Sequence, residues 1–381
     1  MINRKDILNH IQKALRRSRV VAVMGPRQSG KTTLARQLVP CDSINYFDLE
    51  DSESDHRLLE PMIALKNLRG VVVIDEIQKR PELFQALRVL ADRKPLPARF
   101  LILGSASQEL LRSSSESLAG RLETIEVSGF GLGEIGYRYE EKLWLRGGQP
   151  LSFLAKSNQD SFLWRKNFIK TVLERDIPQL GYGVTASTML RFWSMLANYQ
   201  GQVWNAAEPA RSLGIGETTV RRYLELLQGI FMVRLLLPWH ENLGKRQIKS
   251  PKIYFRDTGL LHQLMGVRTP RDLLCHPRMG ASWEGFVVEQ ILSAKNPDEA
   301  YFWRTHNGAE LDLFLIQKGR RVGVEVKRSD VPKLTPSMET VVQDLRLDKL
   351  YVIYPGEKSY PIRPKIAAMG FKQFIMSNVK T

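Results

Sequence analysis

Residues 20–38 read VVAVMGPRQSGKTTLARQL and combine a β-branched run, a glycine-containing loop and the start of a helix. The valines at the beginning predict a short buried strand that ends at Gly25. The loop then continues as Pro26, Arg27, Gln28, Ser29, Gly30, Lys31, Thr32 and Thr33. Gly25 and Gly30 let successive backbone N–H groups point inward, and a helix beginning at Lys31 directs its positive end at the same point. The stretch therefore predicts a loop that binds phosphate groups.

Residues 25–32 fit the eight-residue phosphate-binding loop of nucleoside triphosphatases, the P-loop, without a mismatch. Lys31 is expected to contact the β- and γ-phosphates and to be catalytic, while the Thr32 hydroxyl is expected to ligate Mg²⁺. The predicted cofactors are accordingly ATP and Mg²⁺, with residues 25–33 as the main binding segment.

A second apolar run, residues 71–74 (VVVI), is followed by Asp75 and Glu76. Its composition predicts a fully buried parallel strand. A carboxylate at the end of such a strand can hold Mg²⁺, which we expect of Asp75, and the next one can orient the attacking water, which we expect of Glu76. Behind a P-loop, this pair predicts the second half of an ATPase site.

Two further polar residues lie beside predicted strands. Ser105 comes after residues 99–103 (RFLIL), where it either contacts the nucleotide or caps a helix, as Ser107 also could. Arg121 precedes another apolar run and is a candidate for neutralising charge on the transferred phosphoryl group, with an ordinary surface arginine as the alternative. If Arg121 acts on a neighbour's nucleotide, the protein is a homo-oligomer.

The segments GPRQSGKTT, VVVIDEIQ, LILGSAS and SLAGR, with a short strand ending near Glu134, together resemble bacterial and archaeal ATP-binding proteins of the AAA family. The members that this chain resembles carry a C-terminal domain of unknown function. The resemblance implies an AAA+-like P-loop ATPase and places Ser105 at a sensor position near the γ-phosphate.

The chain has 381 residues, 43% of them hydrophobic, and a formal net charge of +16. This length allows two or three domains, and the charge favours a polyanionic partner, nucleic acid, and DNA in particular, before a membrane. The alternative is that the positive charge only keeps the surface soluble. We expect no membrane-spanning run, no signal peptide in the polar, basic beginning of the chain, and hence a cytoplasmic location. Cys41 and Cys275 are too few for a disulfide framework or a zinc site.

Residues 205–229 predict a short helix ending at Leu213, a turn and a second helix from Glu217. In the second helix one stripe is apolar and the opposite face carries Arg221 and Arg222 among other polar residues. Residues 230–237, 245–249 and 252–255 are expected to supply the wing of a winged helix. Such a unit either binds DNA or serves only as a packing module.

In the last third, residues 302–316 and 321–327 predict two strands joined by a tight turn at Lys318 and Gly319. Period-two alternation puts Glu325 and Lys327 on one face of the second strand, and Asp312 lies in the partner strand. Two carboxylates and a lysine that converge can hold Mg²⁺ and position water for attack on phosphate. The alternative is an amphipathic strand with a surface ion pair.

This pattern resembles the restriction-endonuclease-like PD-(D/E)xK core, with Leu311 in place of the proline. The resemblance implies catalytic roles for Asp312, Glu325 and Lys327, and metal ligation by Asp312, Glu325 and the helical Glu284. Nuclease folds also serve as binding modules, so cleavage of DNA and binding without cleavage both stay open.

The predicted fold class is α/β throughout. It comprises an AAA+-like P-loop NTPase domain with a parallel sheet (residues 1–145), a helical connector with a winged helix-turn-helix (146–270) and a restriction-endonuclease-like domain (271–381). The predicted function is ATP hydrolysis coupled to a DNA-binding, nuclease-like module. The alternatives are a nucleotide-dependent molecular switch and a DNA-binding regulator with an inactive nuclease fold.

Overall fold

The computed structural model describes residues 2–105, 118–240 and 248–377. The chain divides into two compact units, of which the first contains Met1–Phe130 with Gly229–Met232 and the second contains Gly131–Gln228 with Val233–Thr381. The predicted first boundary, near residue 145, differs from this division because the helix Glu140–Arg146 packs within the second unit. There the carbonyls of Trp144 and Leu145 accept hydrogen bonds from Thr258 and His262. The boundary near residue 270 stays a prediction.

The first unit is a five-stranded, wholly parallel sheet in the order β2-β3-β4-β1-β5. Its strands are β1 (Val20–Met24), β2 (Tyr46–Asp48), β3 (Gly70–Asp75), β4 (Ala98–Gly104) and β5 (Leu122–Glu126). The helices described in this unit are Lys5–Arg17, Lys31–Ala35, Ser52–Arg57, Pro61–Lys66 and Leu83–Ala91, with a 3₁₀ turn at Ile77–Lys79.

Both faces of this sheet are buried, which explains why its central strands read as continuous apolar runs. Alternate residues of β1 contribute to two separate apolar clusters, Val20 and Ala22 to one, Val21 and Val23 to the other. Because all strands run the same way, their carboxyl ends lie at one edge, where the loop after β1 meets the residues that end β3 and β4.

The second unit begins with a helical part. Its α-helices up to residue 275 are Leu132–Ile135, Glu140–Arg146, Pro150–Phe153, Asn158–Thr171, Ile177–Gln179, Ala186–Asn198, Ala207–Leu213, Glu217–Gly229, Thr258–Leu264 and Pro270–Cys275, with a 3₁₀ turn at Tyr137–Tyr139 and a π-helical turn at Val172–Asp176. The strand predicted to end near Glu134 is wrong. The segment is a short helix because the Glu134 carboxylate accepts a hydrogen bond from the backbone N–H of Gly131 and caps the first turn.

The predicted helix-turn-helix segment contains the two expected helices, Ala207–Leu213 and Glu217–Gly229. Gly214 ends the first helix with a left-handed backbone (φ 68°), which glycine adopts without steric cost. In the second helix Val220, Leu224 and Leu227 are buried, and Arg221 and Arg222 are exposed. The amphipathic pattern therefore gave the correct buried face.

A three-stranded antiparallel sheet, in the order β6-β8-β7, accompanies these helices. Its strands are β6 (Gln202–Val203), β7 (Val233–Leu236) and β8 (Lys252–Phe255). Strand β7 is shorter than the run predicted over residues 230–237, because Gly229–Met232 belongs to the first unit, where Phe231 joins an apolar cluster. Residues 245–247 of the predicted wing lie outside the described residues. The assignment of these elements to the winged-helix family stays a prediction.

The remaining part of the second unit is a six-stranded mixed sheet in the order β13-β14-β12-β11-β10-β9. Its strands are β9 (Glu299–Arg304), β10 (Glu310–Gln317), β11 (Arg320–Val326), β12 (Lys349–Tyr354), β13 (Ser359–Arg363) and β14 (Ile366–Gly370). Its helices are Met279–Lys295, Pro336–Asp344 and Phe371–Met376. The β10–β11 hairpin turns at Lys318 and Gly319, both with positive φ (49° and 78°), as a two-residue turn requires.

A buried polar chain links the helical part to the helix Met279–Lys295. Trp144 Nε1 donates to Ser282 Oγ (3.0 Å), and Ser282 Oγ lies 2.7 Å from His262 Nε2. His262 Nδ1 lies 2.9 Å from the carbonyl of Leu145, so this nitrogen carries the proton. Burial lowers the pKa of His262 to about 3, and the imidazole is neutral in the folded protein.

This histidine makes the second unit sensitive to acid. Below the ordinary histidine pKa of about 6.5, His262 is protonated in the unfolded chain, whereas in the folded protein it stays neutral down to about pH 3. The contribution of His262 to the free energy of unfolding therefore decreases as the pH is lowered from about 6.5 to about 3. The expected loss is about 1.4 kcal/mol per pH unit, and His262→Gln should remove it.

Urea unfolding at pH 7 and pH 5, followed by tryptophan fluorescence, measures this effect, because all seven tryptophans lie in the second unit. His306→Gln, at an exposed position, is the control and should keep the wild-type pH dependence. An equal pH dependence in wild type and His262→Gln would contradict the assignment.

Candidate functional site

The loop after β1 has a backbone that requires glycine at two positions. A Cβ atom at Gly25 would lie 1.9 Å from the carbonyl oxygen of Val127, and Gly30 has φ 94°, in the left-handed region. Any side chain at Gly25 would therefore displace the loop from the end of β5, and any L-residue at Gly30 would be strained. Both glycines are required by geometry, as the motif predicted.

Lys31 begins the helix Lys31–Ala35 and is buried. Its Nζ donates to the carbonyl oxygens of Gly25 (2.9 Å) and Pro26 (2.8 Å), which places the ammonium inside the loop. Burial lowers the pKa of Lys31 to about 8, against the opposing effect of the carboxylates of Glu76 and Asp75. The lysine is thus a desolvated cation at the position where the motif expects phosphate groups.

Asp75, at the end of β3, is brought next to Thr32. Burial raises the pKa of Asp75, and hydrogen bonds from the hydroxyls of Thr32 and Tyr46 oppose the rise. The Tyr46 hydroxyl donates to Asp75 Oδ2 at 2.9 Å. The two predicted Mg²⁺ ligands, Thr32 and Asp75, are therefore close enough to interact. Tyr46 was not predicted, although its place in a strand beside β3 follows from the parallel sheet order.

Glu76 has a left-handed backbone (φ 56°), which turns it away from the strand direction. Its Oε2 accepts hydrogen bonds from Gln78 and from the Ser105 hydroxyl (3.3 Å). Gln78 Nε2 also donates to Ser105 Oγ at 3.0 Å. The residue after β4 thus contacts the carboxylate that we expect to orient water, and its role as a sensor stays a prediction. Ser107, the alternative cap, lies outside the described residues.

Other side chains hold the loop in place. Arg4 is buried and donates to the carbonyl oxygens of Ser29 (2.8 Å), Ser128 (3.1 Å) and Gly129 (3.3 Å). Arg27 forms an ion pair with Glu50 (2.6 Å). Sequence reasoning missed Arg4, because nothing in the local sequence shows that this side chain reaches Ser29 and Ser128, which lie 25 and 124 positions further along the chain.

A buried hydroxyl group in the loop is a further feature that fits nucleotide binding. In the described part of the chain, Ser29 Oγ is a buried polar atom without a hydrogen-bond partner. A buried hydroxyl without a partner is costly, and a phosphate oxygen would satisfy it. Together with the Lys31 ammonium and the Thr32–Asp75 pair, this atom fits ATP and Mg²⁺.

Arg121 does not lie at this edge. The amide of Val20 donates to the Arg121 carbonyl (3.0 Å), so Arg121 lies at the amino ends of β1 and β5, about 15 Å from the loop by strand rise. Its guanidinium binds the carboxylate of Asp92 through two nitrogens (2.7 Å each). The expectation that Arg121 serves this chain's own nucleotide is therefore wrong. Action on a neighbour's nucleotide stays a prediction.

The second predicted cluster, in the C-terminal sheet, contains an unexpected member. Lys252 Nζ lies 2.6 Å from Glu310 Oε1, 3.2 Å from Asp312 Oδ1 and 3.3 Å from Glu284 Oε1. Asp312 Oδ2 accepts a hydrogen bond from the amide of Val326 (3.0 Å). Sequence analysis assigned Lys252 to the wing and overlooked Glu310, because both contacts depend on how two separate sheets come together.

Glu325 and Lys327 lie on one face of the β10–β11 hairpin, as alternation predicts, and their charged groups are 2.7 Å apart. Burial, followed by the Asp312 charge, raises the pKa of Glu325 to about 8 and that of Glu284 to about 7. Burial alone would lower the pKa of Lys252, yet its polar and acidic neighbours raise it well above its ordinary value.

The predicted ligands Glu284, Asp312 and Glu325 do not fit a metal site in this arrangement. Within the described ranges, no group of three or more His, Cys, Asp and Glu side chains is placed to hold a metal ion. The physical reason is that the Lys252 ammonium lies among the carboxylates. The metal-site prediction at these three residues is therefore wrong for this structure.

Three family models match the chain in succession. An AAA domain matches residues 17–136, a domain of unknown function (DUF8612) matches residues 138–271, and a second one (DUF4143) matches residues 279–374. With the parallel sheet and the loop geometry, the first match defines the N-terminal domain as an AAA-family P-loop NTPase. The predicted AAA resemblance is confirmed for this domain.

The chain is 48% identical over 375 residues to the uncharacterized protein Rv2008c of Mycobacterium tuberculosis and, equally, to the uncharacterized protein Mb2031c of Mycobacterium bovis. These matches cover 98% of this chain and 85% of each relative. The chain therefore belongs to the same family as these two mycobacterial proteins.

Two solved structures have weaker similarity. The Walker-type ATPase PABY2304 of Pyrococcus abyssi is 14% identical with a TM-score of 0.47, covering 70% of this chain and 96% of that one. A signal transduction ATPase with numerous domains, PH0952 of Pyrococcus horikoshii, is 13% identical with a TM-score of 0.32, covering 78% and 45%. In the described residues, no helix is long and apolar enough to cross a membrane.

Proposed function

We propose that the protein binds and hydrolyses ATP at the carboxyl edge of the first sheet, and that the second unit uses the nucleotide cycle to act on DNA. The observation that carries the first half is the convergence of Lys31, the Thr32–Asp75 pair and the Glu76–Ser105 pair. These groups come from the ends of β1, β3 and β4, which the parallel topology brings to one edge.

Each side chain has a distinct task in this proposal. The loop amides and Lys31 bind the β- and γ-phosphates, and Lys31 offsets negative charge that develops during transfer. Glu76, held by Ser105, orients the attacking water and accepts its proton. Thr32 and Asp75 would hold Mg²⁺, which neutralises phosphate charge when bound.

Support for DNA as the partner comes from charge and from one exposed helix face. The chain carries a formal net charge of +16. Arg221 and Arg222 are exposed on the second helix of the helix-turn-helix segment, although Glu217 pairs with Arg221 (3.4 Å). Guanidinium groups on such a helix bind phosphates and position the protein along a duplex.

The double variant Arg221→Ala/Arg222→Ala is expected to weaken duplex binding and to reduce the slope of log K against log salt by about 1 to 2. The reason is the loss of one phosphate contact per arginine. Fluorescence anisotropy with labelled duplex, at several salt concentrations, measures the slope.

Lys166→Ala/Lys170→Ala removes the same charge from exposed positions of another helix and serves as the control. If both double variants lower the slope equally, the effect comes from the overall charge of the protein and not from this helix face.

The function itself is tested by ATP turnover with and without single-stranded, duplex and branched DNA. Stimulation by DNA supports the proposal. Turnover that responds only to self-assembly or to a protein partner supports a molecular switch.

The C-terminal sheet is assigned a binding role in this proposal. Its carboxylates are occupied by a lysine, and its hairpin carries an ion pair at Glu325 and Lys327. Of the two roles that the nuclease resemblance left open, binding without cleavage is the one that this geometry favours.

A further inference from the structure

Lys252 has an environment unlike that of a surface lysine. Its side chain is 1% exposed, and its ammonium contacts carboxylates from the helix Met279–Lys295 (Glu284) and from β10 (Glu310 and Asp312). An ammonium has three N–H donors, and here three carboxylates surround it at 2.6–3.3 Å. The number of donors therefore equals the number of acidic partners.

The ammonium takes the space that a divalent cation would need. Magnesium binds carboxylate oxygens at about 2.0–2.1 Å and calcium at about 2.3–2.6 Å, so either ion must lie among the oxygens that it joins. In this cluster Lys252 Nζ already lies among oxygens of Glu284, Glu310 and Asp312. A cation could enter only if the lysine left.

The charges are also close to balanced. The four carboxylates are those of Glu284, Glu310, Asp312 and Glu325. Lys252 contacts the first three, Arg304 lies 3.5 Å from Glu310, and Lys327 lies 2.7 Å from Glu325. Three cations therefore face four carboxyl groups, and each of the four has a cation among its contacts.

The backbone of Lys252 is fixed on both sides. It lies in β8, which is the central strand of its sheet and pairs with β6 at Val203 and with β7 at Leu236. Two residues on, the Tyr254 hydroxyl donates to Glu284 (2.5 Å), and the ammonium also lies 5.7 Å from the ring of Phe302. Withdrawal of the lysine would require β8 to separate from its neighbours.

We propose that Lys252 is a built-in cation that permanently replaces a divalent metal in the nuclease-like cluster, so that this cluster joins two sheets and does not cleave DNA. The lysine comes from the sheet beside the helix-turn-helix segment, and the carboxylates come from the C-terminal part. Their contact thereby fixes the two parts of the second unit to each other.

The test is Mn²⁺ binding by the full chain without nucleotide, measured by electron paramagnetic resonance. Wild type and Asp312→Asn are expected to bind Mn²⁺ identically, because no ion enters the cluster. Lys252→Met should gain one Mn²⁺ site, at least tenfold tighter than any site in wild type, and Lys252→Met/Asp312→Asn should lose it. Mn²⁺ should also raise the melting temperature of Lys252→Met but not that of wild type.

Two results would overturn the proposal. One is a stoichiometric Mn²⁺ site in wild type that Asp312→Asn abolishes. The other is a folded Lys252→Met protein that gains no site. If Lys252→Met folds only with Mn²⁺, the metal is replacing the lysine, which supports the proposal. If it folds under no condition, the comparison of wild type with Asp312→Asn, and with Glu284→Gln, decides by itself.

Discussion

ATP hydrolysis by the Lys31→Ala protein is expected to fall by about two to three orders of magnitude, the usual cost of removing a preorganised group that stabilises charge at a reacting centre. In this protein the ammonium lies inside the loop, bonded to the carbonyls of Gly25 and Pro26. Its lowered pKa, about 8, shows that burial disfavours its charge even though the carboxylates of Glu76 and Asp75 act in the opposite direction. A phosphate group in the loop would add a further anion beside the ammonium.

The fold should survive this change. The loop backbone is set by Gly25 against Val127 and by Gly30, neither of which depends on the lysine side chain. Turnover is measured by phosphate release, and nucleotide affinity by a fluorescent ATP analogue, with circular dichroism to verify folding. Lys66→Ala removes a lysine from an exposed position of the same unit and should behave as wild type. Undiminished hydrolysis in Lys31→Ala would remove the basis for the ATPase proposal.

Glu76→Gln is expected to separate binding from chemistry. Glutamine keeps the size and hydrogen-bonding ability that the contacts with Gln78 and Ser105 require, but it cannot accept a proton from water. Loss of a positioned general base lowers the rate by about 10² to 10⁴. ATP affinity should stay within a factor of a few of wild type, since Glu76 is not part of the loop.

Single-turnover hydrolysis and equilibrium binding measure the two properties on the same sample. Glu60→Gln, at an exposed position before the helix Pro61–Lys66, is the matched control. A parallel loss of affinity and rate would show that Glu76 acts through the shape of the site and not as a base.

The first unit was largely predictable because its information is local. The P-loop, the strand before it and the Asp75–Glu76 pair each lie within a few consecutive residues, and hydrophobic runs followed by polar residues define the ends of parallel strands. The match to an AAA domain confirms the class of this unit. The hairpin at Lys318 and Gly319 and the buried stripe of the helix Glu217–Gly229 were predictable for the same reason.

The sequence did not predict at which end of the sheet individual side chains lie. Arg121 follows a motif that suggests a catalytic arginine, but it lies at the amino edge, where Asp92 binds it. Arg4 belongs to the loop although it precedes it by more than twenty residues. Neither position follows from periodicity, because periodicity tells which face a residue occupies and not which end of the sheet it reaches.

The sequence alone determined that this chain has a phosphate-binding loop with a carboxylate pair to match, and that Asp312, Glu325 and Lys327 lie on a hairpin. The tertiary structure alone decided what the second cluster is, since it brought Lys252 of one sheet between the carboxylates of a helix and of another sheet. The physical reason is range. Helix and strand periods, loops and turns are fixed by neighbours along the chain. The cation that balances a buried carboxylate, by contrast, can belong to any residue that packing brings within about 3 Å of it.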